Sequence, residues 1–356
     1  MTDCASTLSP AAEFLLSFDR KAFAARVPLI GSIELTARCN LRCVHCYLGD
    51  ARSGAGAGEM SAQRLRDLIG EIADAGCLYL LITGGDPLQH PEFPGIYRHA
   101  RAQGLVVTLF TNATVVGEPV LAALAEYPPQ LIEVSIYGAT AATHDSVTGV
   151  PGSFTACLAG VDTLTRAGLR VGLKTILMSV NVHEIAAMEA LARSRDLSFR
   201  FDPAIFPRFD GDCGPLALRV PVGEVVALEL ADPVRLAGWE KLHARSLGWG
   251  ASGRLYNCAA GVTAFHVDAD GSLRPCLMVH TVRISLARGG FAEAWRDITA
   301  AIDAKVPGAA HDCLACERRF LCGYCPGQFA LENGAEDRVS PYLCEMGTLR
   351  MEAIRS

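Results

Sequence analysis

Three cysteines spaced C-x3-C-x2-C constrain this chain more than any other feature of its sequence. They are Cys39, Cys43 and Cys46, and they follow the strand-like segment GSIELT directly. Three thiolates with no fourth ligand nearby suit a four-iron, four-sulfur cluster with one iron left open to a substrate or cofactor. Buried structural cysteines on one helix face are an alternative, but polar residues interrupt that face. A zinc site needs a fourth ligand, and a haem attachment needs histidine where Tyr47 stands.

A second segment, LYLLITGGDPLQH, carries an apolar run over residues 78–82 that ends in two glycines and an aspartate. Such a run is typical of a buried parallel strand. Gly84 and Gly85 allow the backbone to approach a ligand closely. By itself, the segment is equally typical of an ordinary turn after a strand.

Strand-like and helix-like segments alternate six times between about residues 32 and 202. Ser61 and Gly76 bound one predicted helix, and Asn181 with Glu184 resembles a capping box. Regular β-α alternation predicts an α/β fold with a parallel sheet, and six units suit a partial (β/α)6 TIM barrel. Chemistry in such barrels gathers at the carboxyl ends of the strands. The polar residues expected there, beside the three cysteines, are Asn112, Ser135, Lys174 and Asp202.

Seven more cysteines fall in the last hundred residues, in a pattern typical of metal binding: Cys258, Cys276, Cys313, Cys316, Cys322, Cys325 and Cys344. Asp270-Gly271 predicts a two-residue hairpin turn, which would place the first two cysteines on neighbouring strands. A zinc ribbon is an alternative, although two CxxC pairs six residues apart are crowded for one.

Disulfides are disfavoured by the expected compartment. The chain begins MTDCASTLSP, without the pattern of a signal peptide, and no run of about 18 apolar residues predicts a membrane span. We therefore expect a cytoplasmic protein with no membrane partner, in which thiols stay reduced. The net charge of -6 offers no basic surface, so nucleic acid is not an expected partner.

The first two motifs resemble those of the radical S-adenosylmethionine (radical SAM) enzymes, C-x3-C-x-aromatic-C and GGE, with His45 in the aromatic position and Asp86 in the usual Glu position. The resemblance implies a [4Fe-4S] cluster whose open iron binds SAM, and reductive cleavage of SAM to a 5′-deoxyadenosyl radical. It also implies that Gly84, Gly85 and Asp86 bind the SAM amino group, and that Asn112 and Ser135 contact its ribose or carboxylate. Lys174, an ammonium inside an apolar strand, would bind the SAM carboxylate or form a structural salt bridge.

The C-terminal cysteines resemble the SPASM extension of these enzymes, with C-x2-C at Cys322 and Cys325 where the family has C-x3-C. The resemblance implies two auxiliary iron-sulfur clusters. One would be held by Cys313, Cys316, Cys322 and Cys344. The other would be held by Cys258, Cys276 and Cys325, with an open iron, a non-cysteine ligand or the distant Cys213 completing it.

The resemblance covers nearly the whole chain and divides it into four parts. We expect an N-terminal extension over residues 1–30, a radical SAM barrel over 31–210, a bridge over 211–254 and a small cysteine-rich SPASM domain over 255–350. The segments IYGATAATHDSVTGVPGSF and FRFDPAIFPRFDG resemble SPASM proteins that mature ribosomally made peptides.

That second resemblance implies a precursor peptide as substrate, which is crosslinked, cyclised, epimerised or oxidised. Because 30 residues are too few for a leader-binding domain, a separate small chaperone would present the peptide. A flavodoxin or ferredoxin would be the one-electron reductant. A small molecule or tetrapyrrole is the alternative substrate, and a non-catalytic iron-sulfur or zinc protein is the alternative of another class.

Overall fold

The fold is built on one sheet, seen in a computed structural model that describes residues 10–49, 58–246, 253–287 and 289–355. Within these residues the sheet has nine strands, in the order β6-β5-β4-β3-β2-β1-β7-β8-β9. The strands are β1 Ile30–Glu34, β2 Tyr79–Thr83, β3 Val106–Thr111, β4 Leu131–Ser135, β5 Val171–Ile176, β6 Ser198–Asp202, β7 Ala264–Val267, β8 Ser272–Arg274 and β9 Ile284–Ser285.

Helices connect the first six strands, which all run parallel. The helices described are α1 Pro10–Ala25, α2 Ala62–Asp74, α3 Phe93–Ala102, α4 Glu118–Glu126, α5 Ala141–Thr148, α6 Ser153–Arg166, α7 Ile185–Arg193, α8 Val222–Leu230, α9 Pro233–Ser246, α10 Phe291–Asp303, α11 Pro326–Asn333 and α12 Pro341–Arg355. This open parallel sheet confirms the predicted partial barrel. None of the helices described is both long and apolar enough to cross a bilayer.

The core lies between the sheet and the helices on its outer side. Along β1 and β2, alternate residues such as Ile33, Leu80 and Ile82 point to the helices and are buried. Helix α2 packs an apolar stripe against these residues. The helix begins where the sequence predicts, because Ser61 Oγ accepts a hydrogen bond from Arg64 N at 3.2 Å. Each such buried side chain contributes roughly 1.5–3 kcal/mol, so this seam holds the barrel wall rigid.

The predicted capping box at Asn181 and Glu184 is wrong. Asn181 is fully buried, and its side chain bonds Met178 N and the carbonyls of Ile176 and Tyr137. Glu184 turns away to the start of α5, where it accepts from Ala139 N at 2.6 Å. The spacing suited a cap, but the loop after β5 uses both side chains to bind the loop after β4.

The cysteine-rich region extends the barrel sheet instead of standing apart from it. Strand β7 pairs in parallel with β1, on the side opposite β2, and places Ser32 beside His266. Gly31 allows this pairing, because a Cβ atom there would lie 2.2 Å from Phe265 Cζ.

The predicted two-residue turn between β7 and β8 is also wrong in detail. Gly271 N bonds Asp268 O at 2.9 Å, so Ala269 and Asp270 are the central residues and Gly271 follows in a left-handed conformation (φ 80°). The strands flanked by the cysteines are shorter than predicted. Cys258 precedes β7 and Cys276 follows β8, so neither lies on a strand.

Candidate active site

A cavity of about 390 Å³ opens at the carboxyl ends of the parallel strands. Its wall includes the three cysteines of the first motif, the two glycines after β2 and polar residues from β3, β4 and β5. The predicted residues that line it are Cys39, Cys43, His45, Cys46, Gly84, Gly85, Asn112, Ser135, Lys174 and Asp202. The barrel topology therefore brings these residues together as expected.

The three thiols of the first motif face the same part of this cavity. Cys39 Sγ accepts from Leu41 N at 3.4 Å and lies 3.8 Å from Asn112 Nδ2. Burial raises the pKa of Tyr137 well above its usual range, and the negative charge of Cys43, Cys46 and Cys39 raises it further. The Tyr137 phenol is therefore close enough to all three sulfurs to interact with them electrostatically. This donor set fits a cluster held by three thiolates.

His45 and Ser135 flank the same phenol. The His45 ring meets the Tyr137 ring edge-on, with centroids 4.7 Å apart. Ser135, at the end of β4, hydrogen-bonds Tyr137 and favours its ionised form, although burial dominates. His45 therefore occupies the aromatic position as a packing ring on the cavity wall.

Gly84 and Gly85 let the loop after β2 press against the start of the cysteine loop. A Cβ on Gly84 would lie 2.3 Å from Thr36 O, and one on Gly85 would lie 2.3 Å from Ala37 O. Gly85 N also donates to Thr36 O at 2.9 Å. Only glycine fits such a close backbone approach. The cysteine loop and the loop after β2 are therefore packed backbone to backbone.

The structure places the Asp86 side chain beneath the cavity wall, so it is not among the residues that line the cavity. It is 2% exposed, and its carboxylate accepts from Leu88 N (2.9 Å), Asn112 N (2.7 Å) and Thr111 Oγ1 (2.9 Å). Burial raises its pKa to about 6 despite these donors, which favour the charged form. Asp86 thus joins the ends of β2 and β3.

Lys174 extends from β5 into the cavity, with Nζ 2.8 Å from the centroid of the Phe110 ring. Burial lowers its pKa well below the usual range, opposed by the charge of Glu133. Glu133 is already paired, since Arg200 donates to both of its oxygens at 2.5 and 2.6 Å. Among the described residues, no carboxylate lies within ion-pair distance of Nζ, so the predicted structural salt bridge is not formed there.

Asp202, at the end of β6, lines two cavities. The second has a volume of about 500 Å³, lies against α9 and α12, and reaches Cys322. Asp202 and Ala204 belong to the walls of both. The aspartate therefore stands between the barrel interior and the cysteine-rich region.

The C-terminal cysteines fall into the two groups that the sequence predicts. Burial raises the pKa of Cys276 to about 12, and the nearby Cys325 and Cys258 add to the rise. Burial likewise raises the pKa of Cys322 to about 12, with contributions from Cys344, Cys313 and Cys316. The thiols within each group are thus close enough to interact electrically.

Cys213 is exposed, and its thiol donates to Gly211 O at 3.7 Å. The loop that carries it is held against the first cysteine motif, because Phe209 N donates to Tyr47 O at 3.0 Å. The described contacts of Cys213 do not include the group of Cys258. The structure gives no support to Cys213 as its fourth ligand.

The sequence did not predict several polar and aromatic residues of the cavity wall, among them Ser32, Tyr47, Tyr137 and His266. Ser32 and Glu34 are polar residues on an otherwise apolar strand, on the face that points into the barrel. That alternation was a usable signal. His266 carried none, because β7 is only four residues long and its neighbour β1 lies far away in the sequence.

Comparisons with known proteins agree with this geometry. Residues 33–193 match the model of the Radical SAM superfamily, and all three cysteines of the first motif lie in the matched range.

Two curated proteins are similar over most of the chain. AdoMet-dependent heme synthase of Methanosarcina barkeri is 26% identical over 347 residues, which cover 88% of this chain and 96% of the relative. Mycofactocin maturase MftC of Mycobacterium ulcerans is 28% identical over 305 residues, 83% of this chain and 82% of the relative.

Among solved structures, Streptococcus suis SuiB bound to precursor peptide SuiA is similar with a TM-score of 0.69. The match covers 97% of this chain and 84% of that chain, at 14% identity. Likeness at this identity shows a shared fold over nearly the whole chain.

Proposed function

We propose that this chain, an enzyme that carries a radical SAM domain, cleaves SAM beside Cys39, Cys43 and Cys46 and removes hydrogen from a substrate in the adjoining cavity. The convergence of the three thiols on one cavity wall is the observation that carries this proposal. A four-iron cluster with SAM bound there would supply one electron to SAM and yield a 5′-deoxyadenosyl radical.

The SAM contacts follow from the polar groups that face the cavity. Lys174 would bind the SAM carboxylate, because a half-buried ammonium with no described ion pair is stabilised by an anionic ligand. Ser135 and Asn112 would contact the ribose or the carboxylate. The backbone at Gly84 and Gly85 would bind the amino group, while Asp86 holds that backbone in place from below.

A precursor peptide is the substrate we favour. The cavity of about 390 Å³ is near the small end of sites for one ligand, so SAM would occupy much of it. The similarity to a maturase over 83% of this chain is what supports a peptide. A separate small peptide-binding chaperone and a flavodoxin or ferredoxin reductant belong to the same proposal.

A tetrapyrrole is the second candidate substrate, supported by the similarity to a heme synthase over 96% of that relative. The two candidates separate in one measurement. Incubated with SAM and dithionite, the enzyme should change the mass of a precursor peptide and leave iron-coproporphyrin unchanged.

The two C-terminal cysteine groups are proposed to hold auxiliary clusters within a cysteine-rich domain over residues 255–350. The group of Cys313, Cys316, Cys322 and Cys344 offers four thiolates, the usual complement of a four-iron cluster. The group of Cys258, Cys276 and Cys325 offers three, which leaves one iron for a substrate or a non-cysteine ligand. The remaining proposed parts are the extension 1–30, the barrel 31–210 and the bridge 211–254.

The central proposal is tested by replacing Cys39, Cys43 and Cys46 with alanine together. Reductive formation of 5′-deoxyadenosine should fall to background, while iron at the C-terminal cysteines stays. Cys77→Ala is the matched control, since Cys77 is buried away from the cavity and should leave SAM cleavage intact. A triple variant that still cleaves SAM under dithionite would overturn the assignment.

A further inference from the structure

Three ligand-type side chains meet where β1 pairs with β7, in a cluster separate from all the cysteines. They are Glu34, the last residue of β1, His266 within β7, and Asp268 just after β7. One ligand atom from each lies within 4.8 Å of the other two. His266 Nε2 is 3.6 Å from Glu34 Oε1 and 3.3 Å from Asp268 Oδ1.

Two atoms of this cluster are buried without a hydrogen-bond partner among the described residues. They are Glu34 Oε1 and His266 Nε2, on side chains that are 4% and 1% exposed. Distances of 3.3 and 3.6 Å are long for a hydrogen bond to a ring nitrogen. An unsatisfied carboxylate oxygen and an unsatisfied imidazole nitrogen aimed at one another require something between them.

The orientation of the imidazole is set from its other side. Ser32 Oγ lies 2.7 Å from His266 Nδ1, and Ser32 is the neighbour of His266 in the β1–β7 register. When Nδ1–H donates to Ser32, the lone pair resides on Nε2 and faces the carboxylates. A histidine that binds a metal is held in this way, by an oxygen on its second nitrogen.

The charges around the cluster leave it short of positive charge. Glu34 and Asp268 contribute two negative charges, and the buried Arg274 beside Asp268 contributes one positive charge. Arg283 is half-exposed and shared between Asp268 and Asp270. With a neutral imidazole, the buried part of the cluster keeps a net charge of about -1, which is costly in a barrel interior.

We propose that Glu34, His266 and Asp268 bind a divalent cation of the zinc class. Ligand atoms bound at 2.0–2.1 Å around a tetrahedral ion lie roughly 3.3–3.4 Å apart, close to the two distances here. Octahedral magnesium would bring them to roughly 3 Å and prefers oxygen ligands throughout. The nitrogen and two carboxylates therefore select zinc.

The site lies behind the wall of the active-site cavity. His266 and Ser32 line that cavity, whereas Glu34 and Asp268 do not. The ligand atoms Glu34 Oε1 and His266 Nε2 are buried, on the side of the imidazole opposite Ser32. The ion would therefore join β1 to the chain around β7 and hold the His266 ring in place at the cavity wall.

A proton is the competing occupant. Burial lowers the pKa of His266, but Asp268 and Glu34 outweigh it and raise the pKa overall. The other titratable or charged groups that act on the cluster are Tyr47 from the cysteine loop, Arg274 from β8, His280 and Arg283. A protonated imidazole would balance the cluster without any metal.

The test is zinc content of the iron-loaded full-length protein after equilibrium dialysis at pH 7.5 against micromolar zinc. The variants are Glu34→Gln, Asp268→Asn and His266→Gln, each nearly isosteric. Asp270→Asn is the matched control. Asp270 is an exposed carboxylate two residues after Asp268, and it pairs with Arg283 outside the cluster. Wild type and Asp270→Asn should retain one zinc per chain more than each cluster variant.

Iron content and circular dichroism, measured on every sample, separate loss of the site from loss of the fold or of the cysteine clusters. If one variant fails to fold, the other two still decide the question. Manganese binding followed by paramagnetic resonance gives a second readout, because manganese has little affinity for thiolates. Equal zinc in all folded samples would overturn the proposal and leave a proton as the occupant.

Discussion

The carboxylate of Asp86 accepts a hydrogen bond from the backbone N–H of Asn112 at 2.7 Å. This bond ties the loop after β2 to the end of β3. The side chain of Asn112 then turns the other way, toward Cys39 and Asn40. Asp86 is buried and does not line the cavity, yet it sets the position of Asn112 beside the first cysteine.

Replacing Asp86 with alanine should destabilise the protein by about 2–4 kcal/mol, because three buried donors lose their acceptor. SAM binding should weaken as the two loops that carry Gly85 and Asn112 loosen. Urea unfolding and SAM titration measure the two effects. Asp74→Ala, at an exposed helix end, should change the free energy of unfolding by less than about 0.5 kcal/mol. An Asp86→Ala protein as stable as that control would contradict the structural role.

Replacing Lys174 with methionine should weaken SAM binding about tenfold or more and leave the fold at least as stable. The first effect follows from loss of a charged partner, worth about 1.4 kcal/mol per factor of ten. The second follows because burial lowers the pKa of this half-buried ammonium, which has no described ion pair, and so opposes folding. Equilibrium dialysis with SAM and thermal unfolding check both. Lys241→Met, on the exposed side of α9, should change neither, and unchanged SAM affinity in Lys174→Met would remove this contact from the site.

The iron content should fall in independent steps as the cysteine groups are removed. Anaerobically reconstituted protein should hold about twelve irons if all three groups bind four-iron clusters. Cys313→Ala with Cys316→Ala should remove about four, and Cys258→Ala with Cys276→Ala should remove another four. Cys213→Ala should leave the iron unchanged. If it alone removes one cluster, the group of Cys258 is closed by Cys213 after all.

His144 should lower the stability of the protein as the pH drops from about 6.5 toward 4, while Asp86, whose pKa burial raises to about 6, acts in the opposite direction. Burial lowers the pKa of His144 to about 4, so the unfolded chain takes up a proton there that the folded chain does not. The contribution of His144 to the free energy of unfolding should therefore decrease by up to about 3 kcal/mol across the window. His144→Gln should remove that contribution, so this variant should lose less stability on acidification than wild type, whereas the exposed His183→Gln should match wild type. Identical pH dependence in both variants would rule His144 out as the cause.

Much of the barrel could be predicted because its signals are local. The strands are rich in apolar residues, and polar residues stand at or just after their carboxyl ends, as with Asn112 after β3. The cysteine motif predicted its own chemistry for the same reason. Residues that are close in sequence stay close when the chain folds.

The errors come from side chains whose partners are distant. Asn181 and Glu184 have the spacing of a cap, but each bonds the loop after β4. Asp86 has the sequence position of a SAM-binding residue, but its short side chain accepts hydrogen bonds from Thr111 and Asn112 at the end of β3 instead. The meeting of His266 with Glu34 depends on a strand pairing for which the sequence holds no local signal.

That pairing of β1 with β7 has a consequence for how the chain is made. β1 is complete once about residue 34 is synthesised, but the strand that covers its second edge begins at Ala264, some 230 residues later. At ordinary translation rates the gap lasts roughly 10–50 s, during which Ile30–Glu34 presents an open strand edge. Such an edge invites pairing with other chains. A barrel expressed without its C-terminal region should therefore aggregate on the ribosome or shortly after release, and protection of this edge becomes a task for chaperones in the cell.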